Sequence, residues 1–281
     1  MSGAKNNNNV APVTVVIPCF NCRATIERAV NSVIVQSILP ASVIVVDDCS
    51  QDGTAEILQA LSKKYADGWM HVIELPRNRG PGNARNVGWD AATQPYVAFL
   101  DADDAWHERK IAIQLSWMQE HPEVSLTGHL TKWVKGNDAA IPLSQMGEWR
   151  RISSWRLLLS NCFSTRSIML NRNLPTRFDP DKRHMEDYAF LLDVVFSGHI
   201  IAMLDIELAY IYKADFGAGG LSEQLWKMEV GELRNYWRLR TQRRIGTLLV
   251  TVLSVYSLLK YARRVMLVAI RRLRSLSAIG Y

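Results

Sequence analysis

Three aspartates, Asp101, Asp103 and Asp104, directly follow the short apolar stretch of residues 96–100. Carboxylates this close together repel one another unless a positive charge lies among them. Mg²⁺ and Mn²⁺ bind carboxylate oxygens together with phosphate oxygens of a nucleotide, so one interpretation is a metal site for a phosphorylated ligand. The alternative is a solvated turn that caps a helix starting near Glu108. The cluster by itself favours neither interpretation.

Further polar groups follow predicted strands. Asp48 comes after the apolar stretch 43–46. A parallel strand of an open α/β sheet would carry this aspartate to the ligand-binding edge. Residues 76–86 contain three arginines, and a helix starting near Asn83 would add backbone N–H groups that favour a diphosphate. The glycine spacing in this segment matches neither a dinucleotide-binding fingerprint nor a P-loop.

An acidic pair, Glu186 and Asp187, falls in the first turn of another predicted helix. Acidic side chains at this position complement the helix dipole, which is the structural interpretation. The functional interpretation is that the pair supplies a general base.

The order of apolar stretches predicts an α/β fold. Strands alternate with helices through residue 121, which is typical of a mostly parallel sheet with right-handed crossovers. Strands are predicted at 13–17, 43–46, 70–75, 96–100, 124–134 and 165–170. Helices are predicted at 24–36, 83–92, 108–121 and 152–160; a further helix ends near residue 65, and another begins near residue 186. Residues 137–149 are predicted to form a loop.

Basic residues are concentrated at the C-terminal end. Residues 231–281 hold eleven Lys and Arg against one acid, Glu232, for a net charge of +10. The remainder of the chain carries −4, since the total is +6. This asymmetry argues against nucleic-acid binding by the main domain and favours contact between residues 231–281 and an anionic surface.

The same C-terminal region contains an uncharged stretch, residues 245–259, that is 15 residues long. A membrane-spanning helix needs roughly 20 apolar residues, so the length argues against a span or a re-entrant hairpin. Lys260, Arg263 and Arg264 follow, and apolar faces with basic flanks are typical of interfacial helices on anionic lipid. The alternatives are packing on the catalytic domain and an oligomer contact.

Cys19 and Cys22 form a C-x-x-C pair after the first predicted strand. A redox pair and a zinc site are both possible interpretations. No second C-x-x-C or histidine pair completes a tetrahedral zinc site in the sequence, so two small buried thiols are expected.

Five stretches together resemble the family 2 glycosyltransferases, which are inverting enzymes of the GT-A fold that use nucleotide-diphosphate sugars. The resemblance covers about residues 12–215 and rests on VTVVIPCFN, VIVVDDCSQDGT, NRGPGNARNVG, FLDADD and MEDYAFLLDV. It implies a catalytic domain at 12–225 with a nucleotide-sugar half (12–104) and an acceptor half (105–225). The polar composition of residues 1–11 predicts a disordered N-terminus, and the basic and apolar residues of 226–281 predict a basic amphipathic helical tail.

The resemblance also assigns site residues by position. Pro18, Phe20 and Asn21 are expected to cradle the base and ribose, and Asp48 is expected to bind uracil. The expected nucleotide-sugar contacts further along the chain are Asn78, Gly80, Ala84, Arg85, Asn86, Gly88, Asp101, Ala102 and Asp103. Mn²⁺ or Mg²⁺ is expected at Asp101, Asp103 and Asp104, where it would offset charge on the leaving diphosphate.

The expected catalytic base is Asp187, with Glu186 and Trp106 on the acceptor side. Packing in the core is the alternative for Trp106. The Q-x-x-R-W motif of processive family members is absent from residues 190–281, so one sugar is expected per encounter.

The leading functional prediction is transfer from a nucleotide-diphosphate sugar, with UDP favoured, to a polyprenyl-diphosphate-linked oligosaccharide in bacterial surface-polysaccharide synthesis. The polar N-terminal stretch lacks the apolar core of a secretory signal, so we expect a cytoplasmic protein at the inner membrane face. The alternatives are transfer to polyprenyl phosphate, a catalytically silent nucleotide-sugar or lipid-binding subunit, and a nucleotidyltransferase.

Overall fold

Strands and helices alternate along the first half of the chain, as the spacing of apolar residues predicts. The computed structural model describes residues 10–65, 68–134, 147–212 and 224–277, with side chains through residue 268. The predicted loop at 137–149 lies largely outside these residues. The strands are β1 Val10–Cys19, β2 Leu39–Asp47, β3 Met70–Glu74, β4 Tyr96–Phe99, β5 Ala105–Trp106, β6 Val124–Trp133, β7 Trp149–Arg151, β8 Met169–Asn171 and β9 Ile200–Ile211. The helices are α1 Ile26–Ile34, α2 Thr54–Lys64, α3 Pro81–Ala91, α4 Lys110–Glu120, α5 Ser154–Leu159, α6 Glu186–Phe196, α7 Leu225–Thr241 and α8 Thr247–Ser277.

All nine strands of the described chain join one sheet, in the order β3-β2-β1-β4-β8-β6-β9-β5, with β7 added to β9. The longer pairings, β1 with β2, β2 with β3, β1 with β4 and β6 with β9, are parallel. Antiparallel pairings involve two or three residues each. The predicted α/β class with a mostly parallel central sheet is therefore confirmed.

The centre of the sheet is buried on both faces. Along β1, every residue from Val13 to Cys19 is buried, which is why this stretch is apolar except at Thr14. Helix α3 packs closely on one face at Gly88, where an added Cβ would lie 2.4 Å from a methyl carbon of Val16. This close packing brings the segment before α3 to the carboxyl ends of β1 and β2.

Some predicted elements differ from the structure. Val10 and Ala11, which fall within the disordered segment predicted at 1–11, belong to β1. Residues 1–9 lie outside the described part of the chain. The strand predicted at 165–170 is a 3₁₀ turn, Thr165–Ser167, followed by β8. Strand β9 is not among the strands predicted from the sequence, although exposed Asp205 and Glu207 alternate with buried residues in its second half.

The chain divides into two compact units. The first contains residues 1–183 and 190–212, and the second contains residues 184–189 and 213–281. The boundaries proposed from the sequence, at residue 104 within the domain and at residue 225 before the tail, remain predictions.

Within the second unit, α7 and α8 pack against each other through a buried polar cluster. Glu229 accepts hydrogen bonds from Ser257 at 2.7 Å and from Arg264 at 3.1 Å. Glu232 accepts one from Lys260 at 2.7 Å. Two of the basic residues that the sequence analysis placed at a lipid surface therefore form ion pairs inside this helix pair.

Another face of α8 is apolar and exposed. It comprises Leu248, Val252, Val255 and Leu259, whose exposed fractions are 80%, 56%, 54% and 66%. Their spacing of four, three and four residues places them along one stripe. Within the described residues, no helix combines the length and apolar character that crossing a membrane requires.

Candidate active site

The loop after β1 is fastened to the loop after β2. Asn21 has a positive φ of 49°. Its backbone N–H donates to Ser50 Oγ at 2.8 Å, and its side-chain oxygen accepts from the backbone of Gln51 at 2.9 Å. Phe20 remains 50% exposed beside it, whereas Pro18 is buried in β1. The structure thus presents the Phe20 ring on a loop whose backbone is held in place.

Cys19 and Cys22 are joined by a disulfide in this structure. The expectation of two free thiols is therefore wrong here, although both cysteines are buried as expected. The disulfide brackets Phe20 and Asn21, two of the residues expected to contact the nucleotide. Cys49 and Cys162 are free cysteines.

Asp48, at the carboxyl end of β2, holds the loop before α3. Its two carboxylate oxygens accept backbone N–H bonds from Arg79 at 2.8 Å and Gly80 at 2.7 Å. Burial raises the pKa of the Asp48 carboxyl, and the two backbone bonds oppose that shift. Gly80 has a φ of +93°, a conformation that favours glycine. A carboxylate has about four acceptor positions, so Asp48 retains capacity for a ligand donor.

Asn78 lies in the same loop. Its backbone oxygen accepts from Arg183 at 3.0 Å. Its side-chain oxygen is buried and has no hydrogen-bond partner among the described residues. A buried acceptor without a partner is costly, which is consistent with a ligand donor at this position.

Arg85 and Asp101 form a closely packed ion pair. Arg85 Nη2 lies 2.8 Å from Asp101 Oδ1, and the Thr165 hydroxyl donates to Asp101 Oδ2 at 3.1 Å. Burial acts to raise the pKa of Asp101, but the charges of Arg85 and Arg166 outweigh it and hold that pKa below its usual value. Asp101 is therefore ionised at neutral pH and joins α3 to the end of β4.

Arginines also meet the other two aspartates. Arg28 Nη2 donates to the backbone oxygen of Asp103 at 2.6 Å. Arg166 Nε lies 3.1 Å from Asp104 and 3.6 Å from Asp101. Burial raises the pKa of Asp104 to about 8, with Arg166 opposing the shift and the neighbouring aspartates adding to it.

The arginines supply the positive charge that the sequence analysis assigned to a metal ion. No three Asp, Glu, His or Cys side chains converge as ligands in the part of the chain that the structure describes. A site built jointly by Asp101, Asp103 and Asp104 is therefore not present in this structure. Mg²⁺ commonly takes only one or two protein carboxylates and obtains its other ligands from phosphates and water. Asp103 is half-buried at this edge, and Asp101 and Asp104 contact Arg85 and Arg166.

Other residues of the predicted nucleotide segment have structural partners. The Asn86 side chain donates to the backbone oxygen of Phe178 at 2.7 Å and accepts from the backbone N–H of Phe178 at 3.1 Å. A nucleotide contact by Asn86 would have to form in addition to these two bonds. Ala84 is fully buried, and Gly88 packs on Val16. These residues position α3 against the sheet.

Trp106 and Ala102 lie in the core. Trp106 is 2% exposed, and its indole N–H donates to the backbone oxygen of Arg166 at 2.8 Å. This burial favours the packing alternative for Trp106, and its predicted acceptor contact stays a prediction. Ala102 is also buried, so its side chain serves the turn between β4 and β5.

Glu186 and Asp187 open α6 and belong to the second unit. Glu186 is buried and Asp187 is half-buried. Both occupy the first turn of the helix, where the helix dipole favours negative charge. Within the second unit, this turn is followed by Tyr188, whose hydroxyl lies 3.5 Å from that of Tyr236.

Sequence reasoning missed three residues of the carboxylate cluster: Arg28, Thr165 and Arg166. None of them lies in a motif stretch used for the family resemblance. The signal that could have found the two arginines is the surplus of negative charge at 101–104, which requires cations from elsewhere in the chain.

The sequence is similar to known glycosyltransferases. The sequence model of glycosyl transferase family 2 matches residues 14–184. TuaG of Bacillus subtilis strain 168, a glycosyltransferase assigned to teichuronic acid biosynthesis, is 44% identical over 118 residues, which are 42% of this chain and 46% of TuaG. WfgD of Escherichia coli, a UDP-Glc:alpha-D-GlcNAc-diphosphoundecaprenol beta-1,3-glucosyltransferase, is 26% identical over 193 residues, covering 68% of this chain and 72% of WfgD.

A solved structure shares the fold. The mannosyltransferase PcManGT from Pyrobaculum calidifontis, in complex with GDP-Man and Mn²⁺, has a TM-score of 0.65 at 17% identity, covering 96% of this chain and 79% of that chain. The family model covers more than half of the sequence, and the sheet and helices have the matching arrangement. The chain spans about half the length of TuaG. It belongs to glycosyl transferase family 2 and has the GT-A fold.

Proposed function

We propose that this enzyme transfers a single sugar from a UDP-sugar to a hydroxyl group of a lipid-linked oligosaccharide in bacterial surface-polysaccharide synthesis. The observation that carries the proposal is the joining of Asp48, the Gly80 loop and the Arg85–Asp101 pair at the carboxyl ends of β2 and β4. Open α/β sheets bind ligands at this edge. The similarity to WfgD, which uses UDP-Glc and a diphosphoundecaprenol-linked acceptor, supports both substrate classes.

The donor nucleotide is proposed to lie across the loops after β1 and β2. Asp48 accepts the uracil N–H, and the exposed Phe20 ring packs against the base or ribose. The unpartnered side-chain oxygen of Asn78 accepts a further donor from the nucleotide. Guanine is the competing base, because PcManGT binds GDP-Man on the same fold.

The proposed chemistry is a single displacement with inversion. A divalent metal held by Asp103, when bound, neutralises charge on the departing diphosphate. The oxygen of the acceptor hydroxyl attacks the anomeric carbon while Asp187 accepts the proton of that hydroxyl. Glu186 is next to Asp187 in the chain, at the start of α6. An α-linked UDP-sugar then gives a β-linked product.

The second unit is proposed to hold the enzyme on anionic lipid at the cytoplasmic face. The exposed apolar stripe of α8 is the part proposed to enter the interface. Arg263 is also exposed, whereas Lys260 and Arg264 are paired with Glu232 and Glu229. The apolar stripe, rather than the whole basic charge of residues 231–281, therefore carries this part of the proposal.

A thermal-shift titration with UDP, GDP, dTDP and CMP, each with and without Mn²⁺, tests the donor. A ligand that binds only the native state raises the melting temperature. We expect UDP to give the largest rise and the rise to grow with Mn²⁺. A larger rise in melting temperature with GDP would indicate that the donor base is guanine and not uracil. No rise with any nucleotide would favour the catalytically silent subunit.

Substitution of Asp187 tests the base. Asp187→Asn should abolish sugar transfer and leave UDP affinity within a factor of about two, because UDP lacks the sugar at which Asp187 is proposed to act. Transfer assays on polyprenyl-diphosphate-linked disaccharide and on polyprenyl phosphate distinguish the proposed acceptor from its alternative. Undiminished transfer by the variant would remove Asp187 from the mechanism.

The membrane proposal needs point substitutions, because deleting residues 245–281 would leave buried Glu229 and Glu232 without Lys260 and Arg264. A triple variant with Leu248, Val252 and Leu259 changed to Ser should lose sedimentation with phosphatidylglycerol vesicles. The matched control changes Leu130 and Leu159, exposed leucines of the first unit, to Ser and should keep it. Equal sedimentation of both variants would contradict attachment through α8.

A further inference from the structure

The 3₁₀ turn Thr165–Ser167 is fixed at the carboxylate cluster by three separate elements. Trp106 donates its indole N–H to the backbone oxygen of Arg166 at 2.8 Å. Gln114 of α4 donates to the backbone oxygen of Ser167 at 3.0 Å, and Phe99 of β4 donates its N–H to that of Ile168 at 3.1 Å. The backbone that carries Arg166 is therefore held rigidly beside the end of β4.

The side chain of Arg166 extends from this turn to two of the three aspartates. Its Nε lies 3.1 Å from Asp104 Oδ2 and 3.6 Å from Asp101 Oδ2. Arg85 contacts Asp101 as well, but its side chain is only 6% exposed, whereas that of Arg166 is 25% exposed. Of these two guanidinium groups, Arg166 is the one that a ligand can reach from solvent.

We propose that Arg166 is a positioning residue for the donor diphosphate and that Asp104 anchors Arg166 instead of ligating the metal. This inference rests on the proposed function of the site. A guanidinium group presents a planar set of N–H donors that matches phosphate oxygens. The buried Asp104 carboxyl group orients this group at the carboxylate cluster, and the metal and the diphosphate are proposed to bind at the neighbouring Asp103. The three aspartates thus have different functions: Asp101 pairs with Arg85, Asp103 faces the metal, and Asp104 orients Arg166.

A purely structural ion pair is the competing explanation, and two ligands separate it from ours. UDP carries the diphosphate, and uridine carries the same base and ribose without it. Loss of a diphosphate contact weakens the binding of UDP alone, whereas distortion of the fold weakens the binding of both UDP and uridine. The comparison therefore reports on the position of the phosphate and not only on the integrity of the protein.

The experiment measures UDP affinity by isothermal titration with Mg²⁺ and uridine affinity by ligand-observed NMR, using the full chain. Arg166→Gln is expected to weaken UDP by about 10-fold to 100-fold, the effect of one charge-assisted contact. Uridine affinity should change less than twofold. Arg166→Lys keeps the charge but lacks the planar guanidinium group. Its UDP affinity should lie between that of Arg166→Gln and that of the unsubstituted enzyme. Arg151→Gln is the matched control, since Arg151 forms an exposed surface ion pair with Glu123 at 2.7 Å and should bind UDP normally.

The assignment of Asp104 is tested by Mn²⁺ binding in electron paramagnetic resonance with UDP present. Asp103→Asn should lower Mn²⁺ affinity at least 10-fold, and Asp104→Asn should change it less than threefold. Equal losses in the two variants would overturn the anchoring function of Asp104.

Three results of the titrations test the proposed contact between Arg166 and the donor diphosphate. Unchanged UDP affinity in Arg166→Gln, or parallel weakening of UDP and uridine, would overturn the proposal. If Arg166→Gln does not fold, Arg166→Lys carries the same comparison. Failure of the unsubstituted enzyme to bind UDP would instead refute the proposed donor, so the two failures are distinguishable.

Discussion

The ammonium nitrogen of Lys110 lies 3.8 Å from the centre of the Trp106 ring, and it has no hydrogen-bond partner among the described residues. The whole residue is buried. Burial holds the pKa of Lys110 well below its ordinary value, because an ammonium group loses its hydration there. The proposed chemistry does not use this lysine, so its burial is a cost to folding that a substitution can remove.

Replacing Lys110 with Met should therefore stabilise the enzyme at pH 7. The unfolded chain protonates this lysine below about pH 10.4 and the folded protein resists protonation, so each unit of the pKa difference costs about 1.4 kcal/mol. We expect the free energy of unfolding, measured by urea denaturation, to rise by more than about 1 kcal/mol in Lys110→Met. The gain should shrink as the pH approaches 10. Lys132→Met, at an exposed pair with Glu207, should show no comparable gain.

The stability of the enzyme should fall in acid because of His129. Burial lowers the pKa of His129 to about 3. The unfolded chain binds a proton near pH 6.5 and the folded protein does not, so the stability from this residue is complete above pH 6.5 and is lost towards pH 3. The slope should approach 1.4 kcal/mol per pH unit. His129→Gln should reduce it, and His71→Gln, at an exposed position, should not.

The polar cluster between α7 and α8 should be sensitive to the loss of one partner. Arg264 lies 3.1 Å from Glu229, whose side chain is fully buried, and 3.4 Å from Glu232. Arg264→Met should reduce the free energy of unfolding by about 3–5 kcal/mol, because it leaves a buried carboxylate with less compensation. The neighbouring and exposed Arg263→Met is the matched control and should change stability by less than about 0.5 kcal/mol. Equal denaturation midpoints would show that Glu229 is accommodated without Arg264.

The disulfide between Cys19 and Cys22 should affect nucleotide binding. It closes a four-residue loop that contains Phe20 and Asn21, so its removal gives the loop more conformations to lose on binding. A double Cys19→Ser and Cys22→Ser variant should bind UDP several-fold more weakly in isothermal titration. Dithiothreitol should have the same effect on the unsubstituted enzyme. The control replaces Cys49 and Cys162, which are free cysteines, and should bind UDP normally.

The strands that carry the candidate site were predictable because their signals are local. The apolar runs of β1, β2 and β4 end at polar residues that the sequence itself shows, and Asp48 and Asp101 lie at the predicted ends. Short-range patterns were less informative for β8, because a two-residue pairing with β6 and a three-residue pairing with β4 leave little periodicity. The sequence pattern therefore predicts a strand where the structure has the 3₁₀ turn before β8.

The sequence by itself determined the family, the alternation of strands and helices, and the presence of three aspartates at one strand end. Only the tertiary structure decided which cations meet those aspartates. Arg28 and Asp103 are 75 positions apart, and Trp106 and Arg166 are 60 apart. Such pairs depend on how the sheet is ordered, because a short motif specifies its own backbone conformation but not the distant side chains that packing brings to it.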